Sequence, residues 1–378
     1  MANINDYIDW RGDVTLEESK LNEVDKMILS RFSYLPFEKI QMKEVMTVKQ
    51  IMKEFKSFKL EDYNIAGDKP MVHKLKTAKR FKDLKVTDFV NIIDKKKEKQ
   101  FSSITIHLPG NKLFISYRGT DSTLVGWKED FNLSYRQHVP AQLEGKKYLE
   151  EILDKYPGKE AYVAGHSKGG NVAVYAGVFC DKKYKSRIIE IINHDGPGFD
   201  KEIVGSKEYK EILPKVHTWF PETTIIGRLL EHKEKCYYVA SSEKAIMQHD
   251  IYSWQILGAK PMQVKSPDSD SNKIDNAVRE LMKRTTPEER KKCIDVMYKM
   301  ISNTANADTT KEMNKNRWKN IGSFIISYRE LSPETRKLFR DVTRIMGSSM
   351  YEGAKAEDEP KIRNRIEKIK NKVSRGGK

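Results

Sequence analysis

The chain has 378 residues and carries 70 Lys and Arg against 54 Asp and Glu, a formal charge of +16 with 33% of residues charged. A hydrophobic fraction of 38% supplies a real core and excludes wholesale disorder, and no run of about 18 apolar residues exists to span a membrane. Cys180, Cys236 and Cys293 are odd in number and scattered, which excludes a disulfide framework and a paired metal-ligand spacing and is expected of a reducing, cytoplasmic setting.

No apolar stretch follows a basic start at the N-terminus, so no secretory signal is expected. Residues 1–100 read as mostly helical, with Leu21, Val24, Met27, Ile28 and Phe32 at helical spacing. A lysine-rich turn at residues 95–99 precedes the first strand signals. Ile104, Ile106 and Leu108 alternate with polar residues, Pro109-Gly110-Asn111 turns, and residues 113–117 return as the second arm of a hairpin. Residues 143–156 suit an amphipathic helix that Pro157-Gly158 ends. A short apolar strand at 161–164 leads into a glycine-rich turn and a helix of small residues at 171–179. Residues 188–192 are isoleucine at four of five positions, as expected of a strand buried on both faces of a parallel sheet. Residues 216–220 and 237–240 are further strands. Strands alternating with helices predict an α/β fold with a central, mostly parallel sheet flanked by helices.

Beyond residue 258 the character changes. Residues 266–272 are polar and linker-like. Thr286-Pro287-Glu288-Glu289 has the form of a helix start, with Thr286 as cap and proline in the first turn, and Ser332-Pro333-Glu334 repeats that form. Residues 273–350 are therefore expected to be helical, and 351–378 to form a basic tail.

The segment with the most chemical content is Gly165-His166-Ser167-Lys168-Gly169-Gly170, directly after a strand and before a helix of small residues. This is the G-x-S-x-G pattern in the context that a nucleophile elbow requires. Glycines two before and two after the serine let the backbone turn sharply, so that the hydroxyl projects from the sheet edge and the following helix aims its amides at an anion. The backbone amide of Lys168 is then one oxyanion donor. Upstream, Arg118-Gly119-Thr120-Asp121-Ser122 closes a strand and precedes Trp127 and Asp130. Thr120 can supply the second oxyanion amide, and Asp121 and Asp130 are expected to hold the loop.

These two segments together resemble the class 3 (fungal-type) lipases. More closely, the whole chain resembles a family of uncharacterised bacterial proteins with a lipase-like α/β-hydrolase fold; this wider likeness takes in residues 3–10, 193–199, 229–232 and 248–254. The resemblance implies an α/β-hydrolase core at 101–258, a helical N-terminal region at 1–100 packed on it, and a serine esterase or lipase-like activity that needs no cofactor or metal.

A serine nucleophile needs a base and an acid to orient it, in chain order Ser, acid, His on this fold. The lipase resemblance favours His249, in a His-x-x-Tyr context, with His232 as the alternative. The position at which such lipases carry their aspartate falls here on Thr223 or Thr224, a departure from the pattern. Asp195, after the isoleucine-rich strand, is the preferred acid, because a carboxylate at the C-terminal end of a parallel strand faces the ligand side. Glu222 and the absence of any acid remain open. Loss of the acid would favour the alternative function, a catalytically weak hydrolase-fold binding or scaffold protein.

The positive charge is concentrated at the end. Residues 361–378 hold eight basic residues and one acidic, with Ile362, Ile366, Ile369 and Val373 at helical spacing. Such a segment can lie on an anionic membrane surface, which would make the protein peripheral to the membrane. No aromatic residues interleave the basic ones, which argues against a nucleic-acid partner.

Overall fold

The computed structural model describes residues 2–265, apart from 122 and 225, residues 285–305, and the isolated positions 333, 336, 337 and 340. The strands are β1 (Val45–Thr47), β2 (Lys85–Asp94), β3 (Lys99–Leu108), β4 (Lys112–Tyr117), β5 (Glu160–His166), β6 (Ile188–His194), β7 (Val216–Pro221), β8 (Lys235–Val239), β9 (Ile256–Leu257), β10 (Lys260–Pro261) and β11 (Gln263–Val264). The helices are α1 (Ile4–Arg11), α2 (Glu23–Phe32), α3 (Val48–Glu54), α4 (Asp68–Leu75), α5 (Leu124–Asn132), α6 (Pro140–Lys155), α7 (Lys168–Phe179), α8 (Lys182–Lys185), α9 (Lys201–Gly205), α10 (Lys207–Ile212) and α11 (Pro287–Ala305).

One sheet organises the described residues, in the order β1-β2-β3-β4-β5-β6-β7-β8-β11. From β4 to β8 every pairing is parallel, while β1–β3 and β11 pair antiparallel at the two sides. This is an α/β-hydrolase-like architecture, with the expected parallel centre; the antiparallel flanks on both sides are an addition of the structure. The parallel strands follow one another in chain order. Successive right-handed crossovers then advance in one direction and lay their helices on a single face. Accordingly α6, α7 and α10 pack together, with α7 against β4, β5 and β6.

A sheet wound this way leaves its other face bare, and the N-terminal helices cover it. α2 lies across β4, β5 and β6. Strand β4 shows how one sequence serves both sides: Leu113, Ile115 and Tyr117 enter the core beneath the crossover helices, and Phe114 enters the core beneath the N-terminal helices. Ser116, on the same side as Phe114, donates its hydroxyl to the Leu29 carbonyl of α2 at 3.0 Å. Two buried ion pairs lock this layer. Arg31 meets Asp68 through two bonds of 2.7 Å, and Arg80 meets Asp25 through bonds of 2.7 and 2.5 Å.

The sheet begins earlier than helical periodicity suggests. The first 76 residues do hold four helices, but β1 and β2 also lie inside the stretch 1–100. β2 escapes a strand reading because its register against β3 shifts between Thr87 and Val90, with Asp88 at φ 56°. Such a bulge breaks the two-residue alternation that marks a strand. Within the region 273–350, α11 starts as expected: the Glu289 amide donates to Thr286 Oγ1 at 3.2 Å, and the Thr286 amide to Glu289 at 2.8 Å. α11 rests on α5, where Lys128 bridges Glu98 at 2.6 Å and Asp295 at 2.7 Å. The polar linker at 266–272 and the basic tail at 351–378 lie outside the described residues. No described helix is long and apolar enough to cross a membrane.

Candidate active site

The site assembles at the C-terminal tips of β4 to β8. β5 ends at His166, and Ser167 stands between strand and helix at φ 58°, ψ −136°, a conformation that L-residues adopt only where the surroundings impose it. The close approach that imposes it is visible at Gly165, where a Cβ would run into the Gly169 carbonyl. The Ser167 amide donates to the His194 carbonyl at 2.9 Å, which ties the turn to the neighbouring β6.

The loop after β4 lies directly on this turn. A Cβ on Gly119 would strike the Tyr34 hydroxyl and stand 3.1 Å from the Ser167 Cβ. Glycine is thus required for Thr120 to lie beside the serine. Thr120 donates its hydroxyl to Asp130 at 2.5 Å. Burial pushes the Asp130 carboxyl up to about 6, against the pull of Lys168 and of the Thr120 hydrogen bond. Asp130 therefore holds a side chain of the loop after β4. Asp121 does fix the loop: it accepts the Thr123 amide at 2.8 Å and pairs with Arg118 at 3.3 Å. Lys168 occupies the first turn of α7, where helical amides lack intrahelical partners. Its ammonium is buried and bonded to Glu129 at 2.8 Å and to the Gln100 side chain and carbonyl at 2.8 and 3.0 Å, so it anchors the elbow to β3 and α5.

Asp195 sits one residue beyond β6, at φ 53°, with its amide bonded to the Trp219 carbonyl at 2.9 Å. Its side chain is fully buried. One oxygen accepts the His249 Nδ1–H at 2.7 Å and the other accepts the Thr224 hydroxyl. Thr224, which the sequence reading set against the lipase acid, thus donates to the carboxylate of Asp195 on the adjacent strand's end. Glu222 makes no hydrogen bond to a histidine among the described residues.

His249 lies in the turn after β8, and three contacts brace that turn. His166 Nε2–H donates to the His249 carbonyl at 2.7 Å, with the two rings 4.6 Å apart. Trp254 Nε1–H donates to the Gln248 carbonyl at 2.9 Å, and the Gln248 side chain accepts the Thr223 amide at 2.8 Å. Burial, reinforced by His249 and Arg31, keeps the His166 imidazole neutral, its pKa well below the ordinary value. No sequence signal marks this tie, or Tyr34, whose hydroxyl donates to the His166 carbonyl at 3.0 Å. The structure does not join Ser167 Oγ to His249 by a hydrogen bond. Such contacts commonly tighten only when substrate is bound.

His232, the alternative base, is engaged elsewhere, 2.7 Å from Glu234. His232, Glu234 and Cys236 bring potential metal ligands within 4.8 Å of one another. Glu234, however, already accepts from His232, from Thr218 and Tyr209 at 2.6 Å each, and from the Lys233 amide at 3.0 Å. Four donors fill the lone-pair sites of a carboxylate, and burial pushes the Cys236 thiol up to about 12. Glu234 is thus satisfied without an ion, whereas the buried His232 Nε2 has no hydrogen-bond partner.

The chain matches the Mbeg1-like family over residues 75–299. No curated protein matches it. Among solved structures it is similar to a triacylglycerol lipase described as having a serine protease triad at its catalytic centre, with 14% identity over 45% of this chain and 69% of that one and a TM-score of 0.35. It is also similar to the Rhizomucor miehei triacylglyceride lipase, with 14% identity over 57% and 77% of the two chains and a TM-score of 0.38. A mutant form of MDLA from Penicillium cyclopium gives 12% identity over 65% and 87%, with a TM-score of 0.38. With more than half of its length matched, the chain belongs to the Mbeg1-like family.

Proposed function

We propose that this protein is a serine esterase acting on acyl esters, with Ser167 as nucleophile, His249 as general base and acid, and Asp195 as the orienting carboxylate. The observation that carries the reading is the buried Asp195 bonded to His249 at 2.7 Å, beside a serine held on a left-handed strand-to-helix turn. In this mechanism His249 Nε2 takes the Ser167 hydroxyl proton as Oγ bonds to the acyl carbon. The negative charge that develops on the carbonyl oxygen falls to the amides of Thr120 and Lys168. Collapse breaks the ester C–O bond, and His249 returns the proton to the leaving alcohol. A water, deprotonated by His249, then releases the acid from the acyl-enzyme. Asp195 keeps its charge throughout and holds His249 in the tautomer with the proton on Nδ1.

Exposed apolar side chains support an ester with an apolar acyl part. Trp127 and Phe131 stand on α5, beside Asp130, and Ile246 and Met247 precede His249. A fluorophosphonate probe should label the wild type and not Ser167→Ala, and short-chain p-nitrophenyl esters should be cleaved by the wild type only. A wild-type chain that neither labels nor cleaves would overturn the reading. The scaffold alternative draws its support from a missing acid, and the bond between buried Asp195 and His249 weighs against it.

A further inference from the structure

We propose that the α2-covered face of the sheet carries a second ligand site, one for a small organic ammonium compound that also offers an oxygen acceptor. A cavity of about 380 Å3 opens there, between the start of α2, the middle strands β6 to β8, and β10. Its size is that of a small-molecule site, and none of its lining residues belongs to the proposed triad.

Two buried polar atoms at this cavity lack a partner. Trp219 is only 4% exposed, yet its Nε1–H donates to nothing, and Glu23 Oε2 accepts nothing. Unpaired buried polar groups are uncommon in native proteins and call for a partner that the chain does not supply. The charge distribution gives that partner's sign. Lys26 is shared between Glu23 at 2.7 Å and Glu190 at 2.6 Å, so one ammonium serves two carboxylates and the inner wall keeps an excess negative charge. The lining Lys260, and Lys235, whose ammonium lies 4.9 Å over the Tyr237 ring, are both exposed, so neither neutralises the inner wall.

The remaining wall is aromatic. Trp219 stacks on Tyr237 with centroids 4.6 Å apart and planes 17° apart, and His217 lies alongside Tyr237 at 16°. A ligand complementary to this wall donates from an ammonium to Glu23, accepts from Trp219 Nε1–H, and lays a flat or apolar body against the rings.

Tyramine has all three features. Phenethylamine lacks the oxygen, and 4-ethylphenol lacks the ammonium. The five tryptophan indole N–H signals of the full-length protein can be followed by 1H–15N correlation spectra during titration with each probe, with Trp219→Phe assigning the relevant one. Tyramine should shift the Trp219 signal saturably. Phenethylamine should bind about fivefold more weakly, and 4-ethylphenol about tenfold or more, as expected for loss of a neutral and of a charged hydrogen bond. Glu23→Gln should weaken tyramine by about tenfold while leaving 4-ethylphenol unchanged. Ser167→Ala should bind tyramine as the wild type does. The proposal is overturned if the Trp219 signal shows no saturable shift up to the solubility limit of tyramine. It is equally overturned if 4-ethylphenol matches tyramine, or if Glu23→Gln binds tyramine as tightly as the wild type.

Discussion

Asp195→Asn separates the orienting role of this residue from its packing. The substitution keeps the side-chain shape, and asparagine tolerates the φ of 53° at this position. Thr224 already accepts the Gly227 amide at 2.9 Å and donates to Asp195, and it can rotate its hydroxyl to meet an amide group. What disappears is the negative charge facing His249 Nδ1. A 2.7 Å contact between the atoms places the charge centres of imidazolium and carboxylate about 4 Å apart, which at an effective dielectric of about 20 is worth about 4 kcal/mol. That charge pair exists only once His249 has taken the serine proton. The loss should therefore fall on kcat, by roughly a thousandfold, with KM little changed. Initial rates with p-nitrophenyl acetate at one fixed pH read both constants, and a thermal melt checks that the variant is folded. A folded Asp195→Asn with kcat within about tenfold of the wild type would refute the assignment. So would a larger loss in Glu222→Gln.

Three further outcomes follow from other titratable groups. Asp130 is a carboxyl whose folded pKa of about 6 lies above its ordinary 3.8, so it favours folding while protonated, and that contribution is lost as pH rises through about 6. Asp130→Asn should gain stability relative to the wild type between about pH 4 and pH 7 in urea unfolding, and a flat difference would contradict this. His194 is buried and its pKa is pushed down to about 3, first by burial and then by Lys26. A base so depressed keeps its full contribution above about pH 6.5 and loses it as pH falls, by about 2 kcal/mol at pH 5. His194→Asn should flatten the acid-side loss of stability by about that amount; an unchanged pH profile would count against it. Asp68→Ala strands the buried Arg31 guanidinium and removes the acceptor of Tyr252, whose hydroxyl lies 2.9 Å from Asp68. Chemical unfolding should show a loss of about 3–5 kcal/mol, and a loss under about 1 kcal/mol would mean that solvent reaches Arg31.

The elbow was legible in the sequence because its requirements are local. A strand, two glycines around a serine and a helix of small residues lie together between residues 160 and 179, and their steric logic needs no distant partner. The loop carrying Thr120 was legible for the same reason, although only the packing of Gly119 against the Tyr34 hydroxyl shows why that glycine is required. β2 was hidden because a bulge broke its alternation.

Local reading favoured Asp195, after the isoleucine-rich strand, without excluding Glu222, which also follows a strand. Asp195, Thr224 and His249 are far apart in the chain, and nothing local shows which carboxylate meets His249. The parallel order β5-β6-β7 decides it, because it sets the strand tips side by side and leaves Asp195 beside the Thr224 hydroxyl, within bonding distance of His249. The same topology turns His166, unremarkable beside the serine in sequence, into the donor that holds the His249 carbonyl. The strained turn at Ser167 is written in adjacent residues and can be read from them alone. Which carboxylate meets His249 depends on which strand ends come together, and that is a property of the fold.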